Sequence, residues 1–515
     1  MTSSVGVRQI GGFPVVAEAS LFRLVTWLPS LLAVLVLICA IALAAGNLLS
    51  TGFAFEKNYN EGWNVYNAQR LIDHELIYDD NYWRMNDYPI LSFFAAATVN
   101  IFVNNLLLSG RIIALVSFLA IGVLAGAAIR RFGGDRVAAV FGASCALGFC
   151  YLFAPAWVAA DDPQTLGEAM MLGGLVSYVS RPPDRFNLLR TALLVTGGAF
   201  VKHNVIAIPL AITFDIAIRA PRRLPVWLGC CAALVVTGLG LTYLVGGGAF
   251  IDHLLSPRTF TWHSARYHFA KYLRFGEFPL AVVLLFARAV FSPNRRVLGA
   301  YGVISIATGT IFAGFEGASY NMFQDAAVFI GIAAGAAFCE LCKRITFRAS
   351  VSECMAGVVL GVAPLLLAQP ILARSPQTIA QIYHAAKLLE ADRRAEQSFL
   401  AEAQYITDQH GPAICESLLL CYYAGQPFIL DPFNSRQLIL ARRLDESELI
   451  QRIAAKEFAV VQLRADICDD RKTASCHILH HWRKFSRFTD NVLYAVDHYY
   501  RIGWRSRDGT FYVPR

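Results

Sequence analysis

Charge is scarce in this sequence. Only 16% of its 515 residues are Asp, Glu, Lys or Arg, against 56% hydrophobic. Soluble domains carry about 25% charged residues, so soluble domains of this composition could not cover their surfaces. The mean hydropathy of +0.47 excludes a disordered chain, and the composition fits neither a collagen-like nor a disulfide-scaffold class. An internal repeat, a basic-aromatic nucleic-acid motif and a soluble nucleotide-binding domain are also missing. Many transporters are built from inverted repeats, so the first absence counts against transport. What remains is a polytopic membrane protein with some soluble part. Its net charge of +8 then reflects loops rich in Lys and Arg rather than nucleic-acid binding.

Long apolar runs continue to about residue 371 and then stop. They predict an α-helical polytopic membrane module over 1–371 and a small soluble α/β domain over 372–515. The run Leu24–Ala45 is too long for the apolar region of a cleavable signal and reads as the first span. Eleven spans are expected, at about 24–46, 111–129, 137–155, 165–180, 187–201, 204–219, 225–246, 278–292, 297–314, 319–341 and 350–371. Basic clusters at Arg130/Arg131/Arg136, Arg181/Arg185, Arg219/Arg222/Arg223, Arg295/Arg296 and Lys343/Arg344/Arg348 then fall on every second loop, as the positive-inside rule requires. Residues 89–107 would break that alternation if they spanned, and they carry Asn100, Asn104 and Asn105. They are expected as an interfacial or re-entrant helix after a long first outer loop, 47–88. The N-terminus is then cytoplasmic, and the C-terminal domain lies outside, in the periplasm of a bacterium. Within that domain, β-like runs at 413–414, 428–430 and 458–463 alternate with helical stretches at 379–404 and 446–455.

Polar residues at the outer ends of the apolar runs are the candidates for chemistry. Glu61, in the first outer loop, can act as a general base toward a hydroxyl; the plain alternative is a solvated loop acid. Asp161 and Asp162 head a membrane helix. Capping accounts for Asp162, with Pro163 opening the helix, and leaves Asp161 free to bind a metal or orient an acceptor. Lys202-His203 interrupts an apolar stretch, and Lys202 is the cation at that turn. The loop 247–277 goes against the positive-inside pattern with Arg258, Arg266, Lys271 and Arg274, beside His253, His263 and His268. Phosphate binding is the simplest use of those charges; a loop long enough to escape the rule is the alternative. Asn321 and Asp325 are four residues apart and share a helix face, and an acid inside a bilayer is a functional candidate or a structural bond to another helix. Four of the twelve cysteines, Cys415, Cys421, Cys468 and Cys476, lie in the soluble domain. They permit one or two disulfides, with the local pairing expected.

Taken together, Asn60-Glu61-Gly62 through Ala68-Gln69-Arg70, Tyr78, Tyr88-Pro89-Ile90-Leu91, Asp161-Asp162, Lys202 and Gly317 to Asp325 resemble the GT-C superfamily of polyprenyl-phosphate-sugar-dependent glycosyltransferases. The branch most similar is that of protein mannosyltransferases and aminoarabinose transferases, over about residues 20–345. Two departures stand out: Asn60 where the family usually has Asp, and Ile90 where it has a second Pro. The first leaves Glu61 as the motif's only acid, or implies weakened or lost activity. The resemblance implies transfer of a hexose or pentose from a polyprenyl-phosphate donor to a cell-envelope acceptor, with inversion. The acceptor would be a glycan such as lipopolysaccharide or another polysaccharide, a lipid or a protein. It implies Glu61 as base, Asp161 or Asp162 assisting, and Lys202, His203, Arg258, Arg266 and His263 on the phosphate side, with Tyr88, Asn321 and Asp325 near the substrate. No cofactor is required; a divalent metal at Asp161/Asp162 is a minor option. A non-catalytic paralogue binding lipid-linked sugar and a lipid-linked sugar flippase are the competing readings.

Overall fold

The computed structural model describes residues 15–285, 292, 295–347, 353–464, 486–506 and 509–515. Its N-terminal part is a bundle of helices: α1 Val15–Leu49, α2 Asn60–Ile72, α3 Leu91–Val103, α4 Leu106–Arg131, α5 Arg136–Phe153, α6 Gln164–Ser180, α7 Arg185–Val201, α8 Ala207–Arg219, α9 Leu224–Gly246, α10 Phe250–Leu254, α11 Trp262–Leu285, α12 Arg296–Phe312, α13 Gln324–Phe347 and α14 Glu353–Tyr383. Among the described residues, five stretches are long and apolar enough to cross a bilayer, 27–52, 106–131, 136–153, 221–246 and 320–343. The eleven expected spans include shorter helices: α6 and α7 have 17 residues and α8 has 13. At 1.5 Å per residue a 17-residue helix is about 26 Å long, just under a hydrocarbon core of about 30 Å. Large apolar side chains such as Phe102, Val123, Phe186 and Leu244 stand exposed on the outer faces of the bundle, where lipid is the suitable solvent.

Local sequence explains the helix boundaries. Asn104 takes a left-handed conformation (φ 52°) and ends α3, and Asn105 caps α4 by accepting the Leu108 N–H at 3.0 Å. Residues 89–107 thus form a 13-residue helix and a turn; that helix is about 20 Å long, shorter than the apolar core of a bilayer. Asp135 and Asp184 cap α5 and α7 in the same way. The tightest seam, between α5 and α13, is built from small residues. A Cβ added to Gly331 would lie 2.5 Å from the Ala146 backbone, and one on Gly142 would lie 2.8 Å from the Gly335 Cα. Small residues let helix backbones approach where the hydrophobic effect cannot drive them together.

After α14, which runs across residue 371, come α15 Ala385–Asp408 and the C-terminal domain. That domain holds β1 Ala413–Cys415, α16 Leu418–Tyr423, α17 Pro432–Leu440, α18 Ser447–Ala454, β2 Val460–Leu463, α19 Asp490–Tyr499, β3 Tyr500–Arg505 and β4 Thr510–Pro514. The strands form one sheet in the order β1-β2-β4-β3, parallel between β1 and β2 and antiparallel elsewhere. The stretch 428–430, expected as a strand, is irregular. Its Phe428 stacks on Tyr66 of α2 at 4.8 Å, and the Tyr66 hydroxyl donates to the Gln426 carbonyl at 2.8 Å. A Cβ on Gly62 would lie 2.1 Å from the Leu419 nitrogen. The first-loop helix and the C-terminal domain therefore share a hydrophobic core, and Gly62 is the residue that lets their backbones meet.

Candidate active site

The segment that follows α1 is organised by a buried ion pair. Arg111, near the start of α4, donates from Nε to Glu61 Oε1 at 2.7 Å and from Nη2 to Oε2 at 2.8 Å. Its other donors reach the carbonyls of Thr51, Phe53 and Phe55 at 3.2, 2.6 and 2.6 Å. Glu61 also accepts the Lys57 N–H at 2.7 Å and the Asp161 N–H at 3.1 Å. Neither side chain is more than 1% exposed. Such a pair is stable in a dry interior only when every donor and lone pair is matched, and here all are. Acting as a base needs an oxygen open to substrate, and both Glu61 oxygens are occupied.

Asn60 and the loop between α5 and α6 form the next layer. Asn60 Nδ2 donates to Asp162 Oδ2 at 2.6 Å and to the Tyr88 hydroxyl at 3.2 Å. Asp162 Oδ1 accepts the Gln164 N–H at 2.8 Å, the capping expected from the sequence. An Asp at position 60 would set two carboxylates against each other; the amide turns that contact into a bond. Asp161 is buried beside Gly110, whose added Cβ would lie 2.1 Å from the Asp161 Cγ. Its Oδ2 has no hydrogen-bond partner. Burial, then the charges of Glu61 and Asp162, hold its carboxyl well above the usual range. Ala159, two residues earlier, has a left-handed backbone (φ 54°), a strained conformation for a residue with a Cβ.

Asn60 and Tyr88 border a cavity of about 500 Å³ between the bundle and the C-terminal domain. On the bundle side lie Asn60, Tyr88, Lys202, His203 and Asn321. Lys202 is buried, with its Nζ 3.5 Å from the centre of the Tyr88 ring, a cation–π contact. Burial pulls its ammonium down to about 8, against the pull of Asp162 and Asp87. On one side Arg258 is bonded to Asp87 Oδ2. The C-terminal domain closes the cavity with Asp431, Arg436 and Arg487. Asp431 caps α17 and accepts the Tyr59 hydroxyl at 2.6 Å; burial pushes its carboxyl up to about 6. Arg487 lies 3.8 Å above the Tyr59 ring, and Arg436 pairs with Glu316.

Lys202, His203, Arg258, Tyr88 and Asn321 are thus brought to one cavity. Asp162 stands one hydrogen bond behind it, through Asn60. Glu61 and Asp161 lie a layer deeper. Asp325 faces the bundle interior, where the Tyr301 hydroxyl lies 3.2 Å from both Asp325 Oδ1 and Glu168 Oε1. Arg266 and His263 are exposed on α11 and do not line the cavity. Cys415 and Cys421 are disulfide-bonded; Cys468 and Cys476 lie outside the described residues. Among the described residues no group of three or more His, Cys, Asp or Glu side chains is arranged to hold a metal ion. Sequence reasoning missed Arg111, Asp87, Asp431, Arg436, Arg487 and Glu168. Arg111 had a signal, a cation at the head of an apolar run, and so did Asp87, next to Tyr88-Pro89. The three C-terminal residues reach the cavity only through docking.

No family model matches the sequence, and no curated protein sequence does. Solved structures do match. ArnT from Cupriavidus metallidurans bound to undecaprenyl phosphate aligns over 93% of this chain and 97% of its own, at 12% identity and a TM-score of 0.56. The apo form aligns over the same shares at 13% identity and 0.57. An Archaeoglobus fulgidus oligosaccharyltransferase, tethered to an acceptor peptide with an NVT sequon, aligns over 95% of this chain and 74% of its own, at 11% and 0.51. The likeness is one of fold, and it covers more than nine-tenths of this chain in all three comparisons.

Proposed function

We propose that the chain is an integral membrane glycosyltransferase that moves a sugar from a polyprenyl-phosphate donor to a cell-envelope acceptor, with inversion at the anomeric carbon. The observation that carries this reading is the cavity that places Lys202, Arg258 and Asn321 together under the C-terminal domain. A leaving prenyl phosphate develops negative charge, and preorganised cations in a partly dry site stabilise that charge. Lys202 and Arg258 fill this role. Tyr88 holds Lys202 from below, and Asn60 ties Tyr88 to Asp162. Arg436 and Arg487 face the cavity from the other side and supply contacts for the acceptor. The first-loop acid Glu61 acts through position: its pair with Arg111 fixes the start of α2 and the Asp161 backbone. The GT-C fold supports a donor whose lipid stays in the membrane, with the cavity and C-terminal domain on the periplasmic face of a bacterial inner membrane. The chemistry proposed here uses no cofactor.

A second reading has one specific observation behind it. The first-loop motif turns no free acid toward the cavity, since Asn60 is an amide and Glu61 is enclosed. A non-catalytic relative that binds lipid-linked sugar has the same features. Transfer of radiolabelled sugar from membranes containing polyprenyl-phosphate sugars separates the two. Wild-type transfer that Lys202→Ala and Arg258→Ala each reduce upholds the enzyme. Binding of polyprenyl phosphate without transfer from a broad donor panel upholds the binding protein.

A further inference from the structure

The proposed reaction needs somewhere to put the proton of the attacking hydroxyl, and the geometry points to Asp87 as that general base, released from Arg258 when the donor phosphate arrives. This inference rests on the glycosyltransferase reading above.

Three carboxylates among the described residues line the cavity: Asp87, Glu316 and Asp431. Asp431 is fully engaged. Its Oδ1 accepts from the Tyr59 hydroxyl and the Phe433 and Asn434 amides, and its Oδ2 accepts from Asn434 Nδ2. Glu316 sits at the rim with its side chain one-third exposed and is paired with Arg436. Asp87 differs from both. It is 5% exposed, its Oδ2 is bonded to Arg258, and its Oδ1 is buried with no partner. A buried oxygen left unmatched is costly, and of the three cavity carboxylates Asp87 is the one that keeps a buried oxygen uncommitted.

The backbone on either side of Asp87 is pinned. The Asn86 N–H donates to His253 Nδ1 at 3.2 Å, and Asn86 Oδ1 accepts the Tyr88 N–H at 3.1 Å. The Tyr88 carbonyl accepts the Tyr78 hydroxyl at 2.7 Å. Asp87 is therefore held on a rigid segment, as a group that must meet a reacting atom should be.

Arg258 supplies the control. Its guanidinium holds the Asp87 carboxylate. A donor phosphodiester presents oxygens with the same preference for that guanidinium. Once the phosphate takes Arg258, both Asp87 oxygens are uncommitted while the donor is bound. The acceptor oxygen then forms its bond to the anomeric carbon. The bond from that carbon to the phosphate oxygen breaks, its electron pair stays on the prenyl phosphate, and the hydroxyl proton passes to Asp87 Oδ1.

The test measures binding of undecaprenyl phosphate to detergent-purified full-length protein, and sugar transfer, in four forms: wild type, Asp87→Asn, Arg258→Ala and the double variant. Asp87→Asn removes the competitor for Arg258, so it should bind the phosphate roughly tenfold more tightly while losing transfer by about 100-fold or more. Arg258→Ala should bind more weakly, and adding Asp87→Asn to it should give no gain. Tighter binding by Asp87→Asn also reports that the variant is folded, and Asp87→Glu should keep measurable transfer. Wild-type-like binding or wild-type-like transfer by Asp87→Asn overturns the inference and leaves the glycosyltransferase reading standing. A wild-type protein that neither binds undecaprenyl phosphate nor transfers sugar removes that reading and the base assignment together.

Discussion

Replacing Arg111 by Met should destabilise the protein severely, and the size of the effect follows from the bonds lost. The side chain is 1% exposed and gives up two bonds to Glu61 and three to backbone carbonyls. What remains is a buried carboxylate without its guanidinium partner and Thr51 and Phe55 carbonyls that have lost that donor, while the Phe53 carbonyl still accepts the Phe55 N–H at 3.1 Å. Removing one member of a buried pair costs about 3–5 kcal/mol. Glu61→Met should cost a similar amount, since Arg111 is then the stranded ion. The double variant should cost clearly less than the sum, because it strands neither charge; a coupling of about 2 kcal/mol is the expected scale. Unfolding in mixed micelles followed by tryptophan fluorescence gives all three values. Single variants that each lose less than about 1 kcal/mol and add in the double would refute the anchoring role. Glu61→Gln with unchanged stability and no transfer would return the base role to Glu61.

Lys202→Ala should weaken the binding of a polyprenyl phosphate by about 10- to 100-fold, the scale of one charge-assisted bond, read by titration with undecaprenyl phosphate. With its ammonium pulled down to about 8, Lys202 loses its proton as the pH rises through that value. Phosphate affinity should therefore fall between pH 7 and 9 in wild type, and Lys202→Arg should hold it flat over that window. Gly62→Val places a side chain where the Leu419 backbone stands, so the C-terminal domain should undock; limited proteolysis between α14 and β1 should speed up and transfer should stop. Replacing both Cys415 and Cys421 by Ala opens a loop closed over a separation of 6 residues and should cost about 2 kcal/mol, measured as the lowered unfolding midpoint of the non-reduced protein.

The sequence carried the bundle well because apolar length is a one-dimensional signal. It also carried the cavity cations: Lys202 stands out in an apolar stretch, and Arg258 stands out against the charge rule. It carried most of β1, α18 and the whole of β2, but not β3 and β4. Their residues Tyr500–Arg505 and Thr510–Pro514 form an antiparallel pair; the first alternates, with Tyr500, Ile502 and Trp504 against Arg501, Gly503 and Arg505, a period-2 signal that a reading by apolar runs passes over. The partner of Glu61 was out of reach for a different reason. Arg111 is 50 residues away, and no local pattern says that a cation at the head of one helix closes on an acid at the head of another. Arg266 and His263 lie in the same loop as Arg258, but they fall on an exposed face of α11; loop membership alone does not decide which side faces the cavity.

The amide at position 60 looks at first like the loss of an essential acid. The geometry gives it a different meaning. With an amide there, Asp162 accepts a hydrogen bond rather than facing a second carboxylate, and Tyr88 is fixed beneath Lys202 by the same group. The cost is that the motif no longer offers the cavity a base. Asp87, one residue before Tyr88, stands where such a base is needed, with an uncommitted oxygen and a cation beside it. The two features are therefore linked. If Asn60 is the reason that the base has moved, Asn60→Asp alone should not raise transfer, because it restores an acid facing Asp162 rather than the cavity. The same change should partly restore transfer in an Asp87→Asn background only if its new carboxylate turns inward. Measuring both variants in one transfer assay decides whether the first loop of this chain has lost its chemistry or handed it to the next segment.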